Sequence, residues 1–286
     1  MDDISSTLNS NILLLLSLSA VLGLIIGSFL NVVIHRLPII LYQQWQENCE
    51  QPIHEPTLSL AFPGSHCPHC RHSLRIHENI PLLSFLLQHG KCRSCGTAIS
   101  TRYPLVELIT ALLSVVVIYK FGFGAQGAAA LLLVWALICL TFIDLDQQLL
   151  PDSITLPFLW LGLILSTQSL FVGSIDSIMG AAAGYGLLWS VFHLYRLSTG
   201  KEGLGYGDFK LLALLGAWLG WQLLPLVILL SSLCGTLVSI ILIALRRHQK
   251  EQPISFGPYL ASAGFVALIW GQEITDAYTN FLYGMG

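Results

Sequence analysis

The stretch NILLLLSLSAVLGLIIGSFLNVVI, residues 11–34, has no charged side chain over 24 residues. A helix needs roughly 20 mostly apolar residues to cross the hydrocarbon core of a bilayer. This stretch is therefore predicted to be a membrane-spanning helix. It is longer than the apolar part of a cleavable signal, and the preceding MDDISS has no basic residue, so we interpret it as a retained anchor.

The composition of the whole chain also indicates a membrane protein. Of the 286 residues, 54% are hydrophobic and 10% are charged, and the mean hydropathy is +0.71. Soluble domains carry about 25% charged residues. The predicted fold class is an all-α polytopic membrane protein with about eight transmembrane helices. The candidate spans are residues 11–34, 104–121, 126–143, 153–172, 177–195, 208–222, 223–245 and 256–273.

The placement of Lys and Arg predicts the orientation of these spans. With eight spans, the basic residues of the loops 35–103, 196–208 and 246–255 fall on one side, which leaves only Lys120 on the other. That side is the cytoplasm under the positive-inside rule. The sixth and seventh spans are separated by a short break around Pro225. A seven-span alternative keeps the first five spans and places the C-terminus inside.

The polar insert between the first two spans contains two CxxC pairs. CPHC (67–70) and CRSC (92–95) are separated by 21 residues. Two short turns that each offer two thiolates suit tetrahedral Zn²⁺, and four sulfur ligands leave no open position for catalysis. The sequence therefore predicts a structural zinc site with the ligands Cys67, Cys70, Cys92 and Cys95.

Free thiols are the alternative to zinc, whereas a reducing cytosol disfavours disulfides. Four nearby histidines are interpreted as solvated or as lying around the metal ligands: His66, His69, His72 and His77. An insert of this size buries little apolar surface, so a bound metal substitutes for missing packing.

Acidic residues beside the spans concentrate at two places. FIDLDQQLLPD (142–152) follows the third span and GYGD (205–208) opens the sixth, both at the predicted cytoplasmic end. Acids at membrane depth are costly and usually functional. Two carboxyls that share a proton are the equipment of an aspartyl hydrolase. The acids concerned are Asp144, Asp146, Asp152 and Asp208.

Structural roles compete with catalysis at these acids. Asp208 and Asp152 each precede an apolar segment and can be its N-cap, and Asp146 can lie in the solvated interface. Gly205 and Gly207 are interpreted as letting a substrate backbone approach Asp208. Their GxGxG pattern superficially matches a dinucleotide loop, but the preceding strand and the βαβ context are missing.

Long segments in order along most of the chain resemble the type IV prepilin peptidases, membrane aspartyl enzymes that also process type II secretion pseudopilins. Besides the two CxxC pairs, these segments are GSFLNVVIHRLP (27–38), ENIPLLSFLL (78–87), GKCRSCGTAIS (90–100), RYPLVEL (102–108), FIDLDQQLLPDSITLP (142–157), GLGYGDFKLLALLGAWLGW (203–221) and FGPYLASAG (256–264).

The resemblance implies that Asp144 and Asp208 are the catalytic aspartates. Asp144 is the first Asp of the family's D-x-(D/K/R)-x-x-x-(L/I)-P-(D/N) segment, and Asp208 ends GxGD. The family cleaves after a Gly that ends a short basic leader, before a hydrophobic helix that usually starts with Phe. Three parts are then expected: an anchor (1–34), a zinc-binding domain (35–103) and a transmembrane aspartyl peptidase domain (104–286).

A second activity is also implied by the resemblance. Longer family members, which carry the large insert, transfer a methyl group from S-adenosylmethionine to the new N-terminal amine. Glu107 is interpreted either as holding the substrate amine or the cofactor, or as a hydrogen-bonded packing residue. The expected setting is the bacterial inner membrane with the active site facing the cytoplasm, and the expected partners are prepilins or pseudopilins and the bilayer, with no nucleic acid.

The basic leader is expected to be attracted by acids at the site: Asp146, Asp152, Glu202 or Glu78. Two other classes compete with the main interpretation. A signal-peptide-peptidase-like GxGD protease lacks the cysteine insert and carries YD inside a span. A zinc-knuckle scaffold or transporter would tolerate Asp144→Asn. Neither the S-adenosylmethionine-binding residues nor the oligomeric state follows from the sequence.

Overall fold

A computed structural model describes residues 11–49, 58–67, 69–75, 78, 80–201, 205–245 and 255–284. The described chain is helical and contains no β-strand, only two isolated bridges, His66 with Ser73 and Lys91 with Ala98. Its helices are α1 (Ile12–Asn48), α2 (Leu83–Leu87), α3 (Arg102–Phe121), α4 (Ala125–Gln147), α5 (Asp152–Ser166), α6 (Ser174–Thr199), α7 (Tyr206–Leu219), α8 (Leu224–Ala244) and α9 (Gly257–Tyr283).

Every one of the eight predicted spans coincides with a helix, but the eight-span count is not confirmed. Five helical segments of the described chain are long and apolar enough to cross a membrane: α1, α3, α4, α6 and Trp221–Ala244. Helices α5 and α7 have 15 and 14 residues. At a rise of 1.5 Å per residue they measure roughly 21–23 Å, less than the ~30 Å hydrocarbon core.

Several predicted boundaries differ from the structure. Helix α1 continues past residue 34, through Pro38, to Asn48. Helix α4 continues to Gln147, so Asp144 and Asp146 lie inside its last turns and not after it. The predicted break between the sixth and seventh spans is confirmed, because α7 ends at Leu219 and α8 begins at Leu224 with Pro225 in its first turn.

The chain forms two compact units, Met1–Trp135 and Ala136–Gly286. In the first unit, α1 packs closely against α3 because glycines face the partner backbone. A Cβ at Gly27 would lie 2.7 Å from the Cα of Glu107, and the Asn31 side chain donates to the Tyr103 carbonyl at 3.0 Å. Small residues permit such close approach of helices in membranes, where packing drives association.

In the second unit, α7 is the central helix. Its residues from Asp208 to Leu219 are buried, except for Lys210, which is half-buried. Helices α5, α6 and α9 pack around it. A helix that is apolar on all sides belongs in a protein interior. This burial brings the start of α7, and with it Asp208, into the interior of the unit.

Candidate active site and metal centre

Asp144 is held at the start of α9. Its carboxylate Oδ2 accepts a hydrogen bond from the Gly257 N–H at 3.1 Å, and the Ser255 hydroxyl donates to its carbonyl at 2.8 Å. The side chain is nearly buried, since Asp144 is 5% exposed. The first N–H groups of a helix lack partners within the helix and carry partial positive charge, so they favour a carboxylate. A distant part of the chain thus fixes Asp144.

Asp208 has an equivalent environment at the start of α7. It is the third residue of the helix, and its Oδ2 accepts the Gly205 N–H at 3.2 Å. Gly205 is the N-cap residue, so the prediction of Asp208 as N-cap is wrong by three positions, although its carboxylate still satisfies an N–H at that helix end. Asp208 is 7% exposed.

Leu150 brings the two carboxylate-bearing segments together. A Cβ on Gly207, beside Asp208, would lie 2.8 Å from the Leu150 Cβ, and a Cβ on Gly257 would lie 3.2 Å from its Cδ2. The Leu150 side chain therefore contacts both Gly207, which precedes Asp208, and Gly257, whose N–H binds Asp144. The structure brings the two predicted catalytic acids together within one unit.

No basic side chain of the described residues neutralises this pair. The nearest in sequence, Lys210, donates to both carboxylate oxygens of Asp152 at 2.7 Å. Asp152 is the first residue of α5, and Pro151 is the N-cap, so the predicted N-cap role of Asp152 is wrong. The ion pair instead connects the start of α5 to the start of α7. The Lys210 ammonium therefore pairs with Asp152 and not with Asp208.

The two glycines before Asp208 have different roles. Gly207 is required by packing, since any side chain there would overlap Leu150. The interpretation of Gly207 as room for a substrate is therefore replaced by an internal contact. A Cβ on Gly205 would lie 3.6 Å from the Asp208 Oδ2, an ordinary van der Waals distance. Gly205 keeps open space beside the carboxylate.

Sequence reasoning missed the residues that hold Asp144. Ser255, Gly257 and Leu150 carry no acid or base, so no search for catalytic side chains selects them. The available signal was the Gly-Pro pair at 257–258, because Pro in the first turn marks a helix start and its unsatisfied N–H groups.

Gly257→Ala is expected to lower proteolytic turnover about 100-fold. The new Cβ would lie 2.6 Å from the Asp144 Oδ2 and 3.2 Å from its Cγ, so the carboxylate must move. A displacement of about 1 Å at a catalytic group costs on the order of 100-fold in rate. The measurement is kcat for leader cleavage by the purified variant. Gly186→Ala is the control, because no atom lies within 4 Å of its added Cβ, and equal turnover of the two variants would contradict the prediction.

The four predicted zinc ligands form one cluster in the first unit. Their sulfur atoms all lie within 4.8 Å of one another, with Cys67 to Cys95 at 3.9 Å and Cys70 to Cys92 at 4.0 Å. Tetrahedral Zn–S bonds of ~2.3 Å place sulfurs about 3.8 Å apart. Disulfide sulfurs are ~2.05 Å apart, which these distances exclude. The donor set therefore fits zinc.

The two CxxC turns have matching backbones. The Cys67 N–H donates to the His72 carbonyl at 2.9 Å, and the Cys92 N–H donates to the Thr97 carbonyl at 2.8 Å. Backbone N–H groups of Cys70 and His69 lower the pKa of the Cys67 thiol. A hydrogen bond with the Thr97 side chain is the main cause that lowers the pKa of Cys95 to about 6. Lowered thiol pKa values favour thiolates, the form that binds metal. A backbone hydrogen bond from His72 lowers the pKa of the Cys70 thiol, but desolvation and the neighbouring thiols outweigh it and raise this pKa to about 11, so the thiolate preference differs among the four sulfurs.

The described histidines near the cluster are not part of it. Among the described residues, the cysteines alone form a metal-ligand group. His66 Nδ1 lies 3.0 Å from the Gly64 carbonyl, and His72 Nε2 lies 3.5 Å from the buried Glu78. His77 lies outside the described residues. The expected role of these histidines around the ligands, and not as ligands, agrees with the placement of His72.

Cys67→Ser is expected to lower zinc affinity more than about 100-fold, since even residues around the ligands contribute about 10–100-fold. Zinc bound per chain after dialysis is the measurement, and protease sensitivity of the insert reports its folding. Cys49→Ser is the matched control, because Cys49 is exposed and outside the cluster. Full zinc content in Cys67→Ser would contradict the assignment.

The acids expected to attract a basic leader have different environments in the structure. Asp152 is paired with Lys210, and Glu78 accepts the Arg75 N–H at 2.9 Å. Asp146 is exposed on α4. Glu202 lies outside the described residues. Glu107 is buried in the first unit and accepts the Leu82 N–H at 2.9 Å.

The fold and the site define a class: a multi-pass helical membrane protein. It has two buried carboxylates that bind N–H groups at helix starts, and a cluster of four thiols that could hold a metal ion. Two family descriptions match the sequence: Bacterial Peptidase A24 N-terminal domain over residues 21–121 and Type IV leader peptidase family over residues 131–240. Full-length relatives agree, as given below. The chain belongs to the type IV leader peptidase family.

Three relatives carry the name prepilin leader peptidase/N-methyltransferase. The Aeromonas hydrophila protein is 56% identical and the match covers 93% of this chain and 94% of the relative. The Stutzerimonas stutzeri protein is 52% identical, over 96% and 97%. The Pseudomonas aeruginosa protein is 54% identical, over 91% and 92%. No solved structure shows a significant match. The family expected from the sequence motifs is confirmed.

Proposed function

We propose that this protein removes the short basic leader of type IV prepilins and type II secretion pseudopilins after Gly, and then N-methylates the new N-terminal residue, usually Phe. The pair of buried carboxylates carries the proposal, because Asp144 and Asp208 each accept a main-chain N–H at a helix start. The relatives named for both activities match nearly the whole chain.

The two carboxyls act as a unit that shares one proton. The ionised carboxyl takes a proton from water, which attacks the scissile carbonyl carbon, and the protonated carboxyl donates to the carbonyl oxygen. Collapse of the intermediate returns a proton to the leaving amine. Such a pair titrates as a unit, so neither Asp144 nor Asp208 has a fixed role as acid or base.

The hydrogen bonds of the two carboxylates support a shared role in catalysis. Each carboxylate uses Oδ2 for a main-chain N–H, at Gly257 for Asp144 and at Gly205 for Asp208. Within the described residues, no further side chain binds either carboxylate. One oxygen of each acid is thus available to water or substrate, while the other fixes the side chain.

The proposed cofactors are a structural Zn²⁺ on Cys67, Cys70, Cys92 and Cys95 and S-adenosylmethionine as methyl donor. The sulfur spacing supports the first, and the second name of the relatives supports the other. Zinc stabilises the insert, which has little apolar core, and takes no part in cleavage.

The proposed arrangement has eight spans in the bacterial inner membrane, with the insert and the active site on the cytoplasmic side. The basic loops support this orientation, and a helix at each predicted span supports the count. The three parts are the anchor (1–34), the zinc-binding domain (35–103) and the peptidase domain (104–286). A substrate helix then stays in the bilayer while its leader projects to the catalytic pair.

The experiment is incubation of purified protein in liposomes with a prepilin and, separately, with a pseudopilin. Mass spectrometry of the products should show cleavage after Gly in both, and methylation of the new N-terminus only when S-adenosylmethionine is present. A protein that cleaves neither substrate, under conditions in which it retains zinc, would overturn the proposal and favour the scaffold.

A further inference from the structure

Glu107 is a buried carboxylate that leader cleavage does not use. It lies in the second turn of α3 and is 8% exposed. Its Oε2 accepts the Leu82 N–H at 2.9 Å, and the half-buried Ser28 of α1 hydrogen bonds with the same carboxylate. Gly27 packs against the Glu107 backbone, so α1 and α3 are in close contact beside this carboxylate.

The position of Glu107 is fixed from the other side as well. Leu82 has a left-handed backbone, with φ of 56°, and is the N-cap residue of α2. A non-glycine residue in this region costs on the order of 1 kcal/mol or more, and such residues cluster at functional sites. The carboxylate therefore holds a strained turn that leads to the second CxxC pair.

These hydrogen bonds explain an acceptor at position 107 but not a charge. A Gln side chain has the same length and offers a carbonyl oxygen to the Leu82 N–H and the Ser28 hydroxyl. Among the described residues, no Lys, Arg or His forms an ion pair with Glu107. An ionisable side chain buried between spanning helices is expensive unless it serves a ligand. A carboxylate here suits a cationic ligand.

Methyl transfer provides such a cation, and the inference that follows rests on the function proposed above. We propose that Glu107 receives the new N-terminal ammonium of the cleaved substrate and takes up one of its protons. The amine then has a free electron pair, which attacks the methyl carbon of the sulfonium donor. The C–S bond breaks, the sulfur keeps its electron pair, and the N-methylammonium product forms. The proton on Glu107 returns to solvent.

Glu107→Gln tests the need for charge at constant size. Glu47→Gln is the control, because Glu47 lies in the same unit, on α1, and is exposed. Pre-cleaved substrate peptides with a free and with an N-acetylated terminus serve as probes. Wild-type protein and Glu47→Gln should bind the free-amine peptide about tenfold more tightly than the N-acetylated peptide, and Glu107→Gln should lose that preference.

The rates separate this role from a structural one. Glu107→Gln should lower kcat for methyl transfer about 100-fold, while leader cleavage and zinc content stay at wild-type levels. Wild-type methyl transfer in Glu107→Gln, or a retained preference for the free amine, would overturn the inference and leave the proposed function intact. Failure of the wild-type protein to methylate would instead overturn the proposed function.

Loss of cleavage as well as methyl transfer in Glu107→Gln would indicate misfolding, and Glu107→Asp then decides. The Asp variant keeps the charge on a shorter side chain, so an Asp variant that cleaves leader should also prefer the free-amine peptide to the N-acetylated one. An Asp variant that cleaves leader without that preference would overturn the inference.

Discussion

Asp144→Asn and Asp208→Asn are each expected to lower kcat for leader cleavage about 1000-fold or more. The amide keeps the size of the side chain and can still accept the N–H from Gly257 or Gly205. It cannot accept a proton from water or share one with its partner, and loss of positioned acid–base catalysis costs about 100- to 10,000-fold. The measurement is single-turnover cleavage of a prepilin in liposomes by each purified variant.

The same variants should still transfer a methyl group to a pre-cleaved substrate, which shows that they are folded. Asp146→Asn is the matched control, because Asp146 lies two residues from Asp144 on the same helix and is exposed. Its kcat should stay within about threefold of wild type, and attraction of a basic leader by Asp146 would appear only in KM. Substantial cleavage by Asp144→Asn or Asp208→Asn would overturn the aspartyl mechanism at this pair.

The double variant distinguishes a shared proton from two independent contributions. Residues that act as one unit are strongly non-additive, so Asp144→Asn/Asp208→Asn should be no slower than the slower single variant. Additive losses would indicate separate roles. Leu150 makes the coupled outcome the expected one, because its side chain contacts the backbone beside both acids.

The chemically distinctive parts of this protein were predictable from the sequence. The apolar stretches became helices at every predicted span, because an unbroken apolar segment has few alternatives in a bilayer. The thiols of the CxxC pairs form one cluster, because paired cysteines at this spacing have a strong preference for tetrahedral metal. Asp144 and Asp208 lie in one unit, and Leu150 contacts a residue that adjoins each of them.

The contacts that hold these residues were not predictable, because they depend on non-local packing. The Gly257 N–H reaches Asp144 from 113 residues away. Lys210 pairs with Asp152, and this pairing replaced a local N-cap that the sequence alone favoured. Helix ends were also misplaced where polar residues begin, since α1 and α4 continue as helices into polar sequence. A hydropathy pattern locates the end of the apolar segment, and in α1 and α4 the helix continues beyond that point.

Glycines on α6 and α7 allow a close backbone contact that also depends on non-local packing. Gly180 and Gly216 face each other so closely that a Cβ on either would overlap the carbonyl of the other. One turn along, a Cβ on Gly184 would lie 2.6 Å from the Leu212 carbonyl oxygen, and the Ser177 hydroxyl donates to the Ala217 carbonyl at 2.6 Å. The two backbones are thus in direct contact along the central helix.

Gly216→Ala is expected to destabilise the second unit by at least about 3 kcal/mol, the upper part of the range for overpacking, because rigid backbone has no side chain that can move aside. Separation of α6 from α7 would also displace Asp208 at the start of α7, so cleavage should fall together with the yield of folded protein. The measurement is the apparent melting temperature in detergent, with kcat of the surviving fraction.

Gly186→Ala separates the clash from the loss of glycine itself. Gly186 lies on α6 with open space around its added Cβ, and Ala is the better helix former by about 1 kcal/mol. That variant should melt at or slightly above the wild-type temperature. Wild-type stability in Gly216→Ala would mean that the helices can separate without consequence, and the position of Asp208 would then have to depend on α5 and α9 alone.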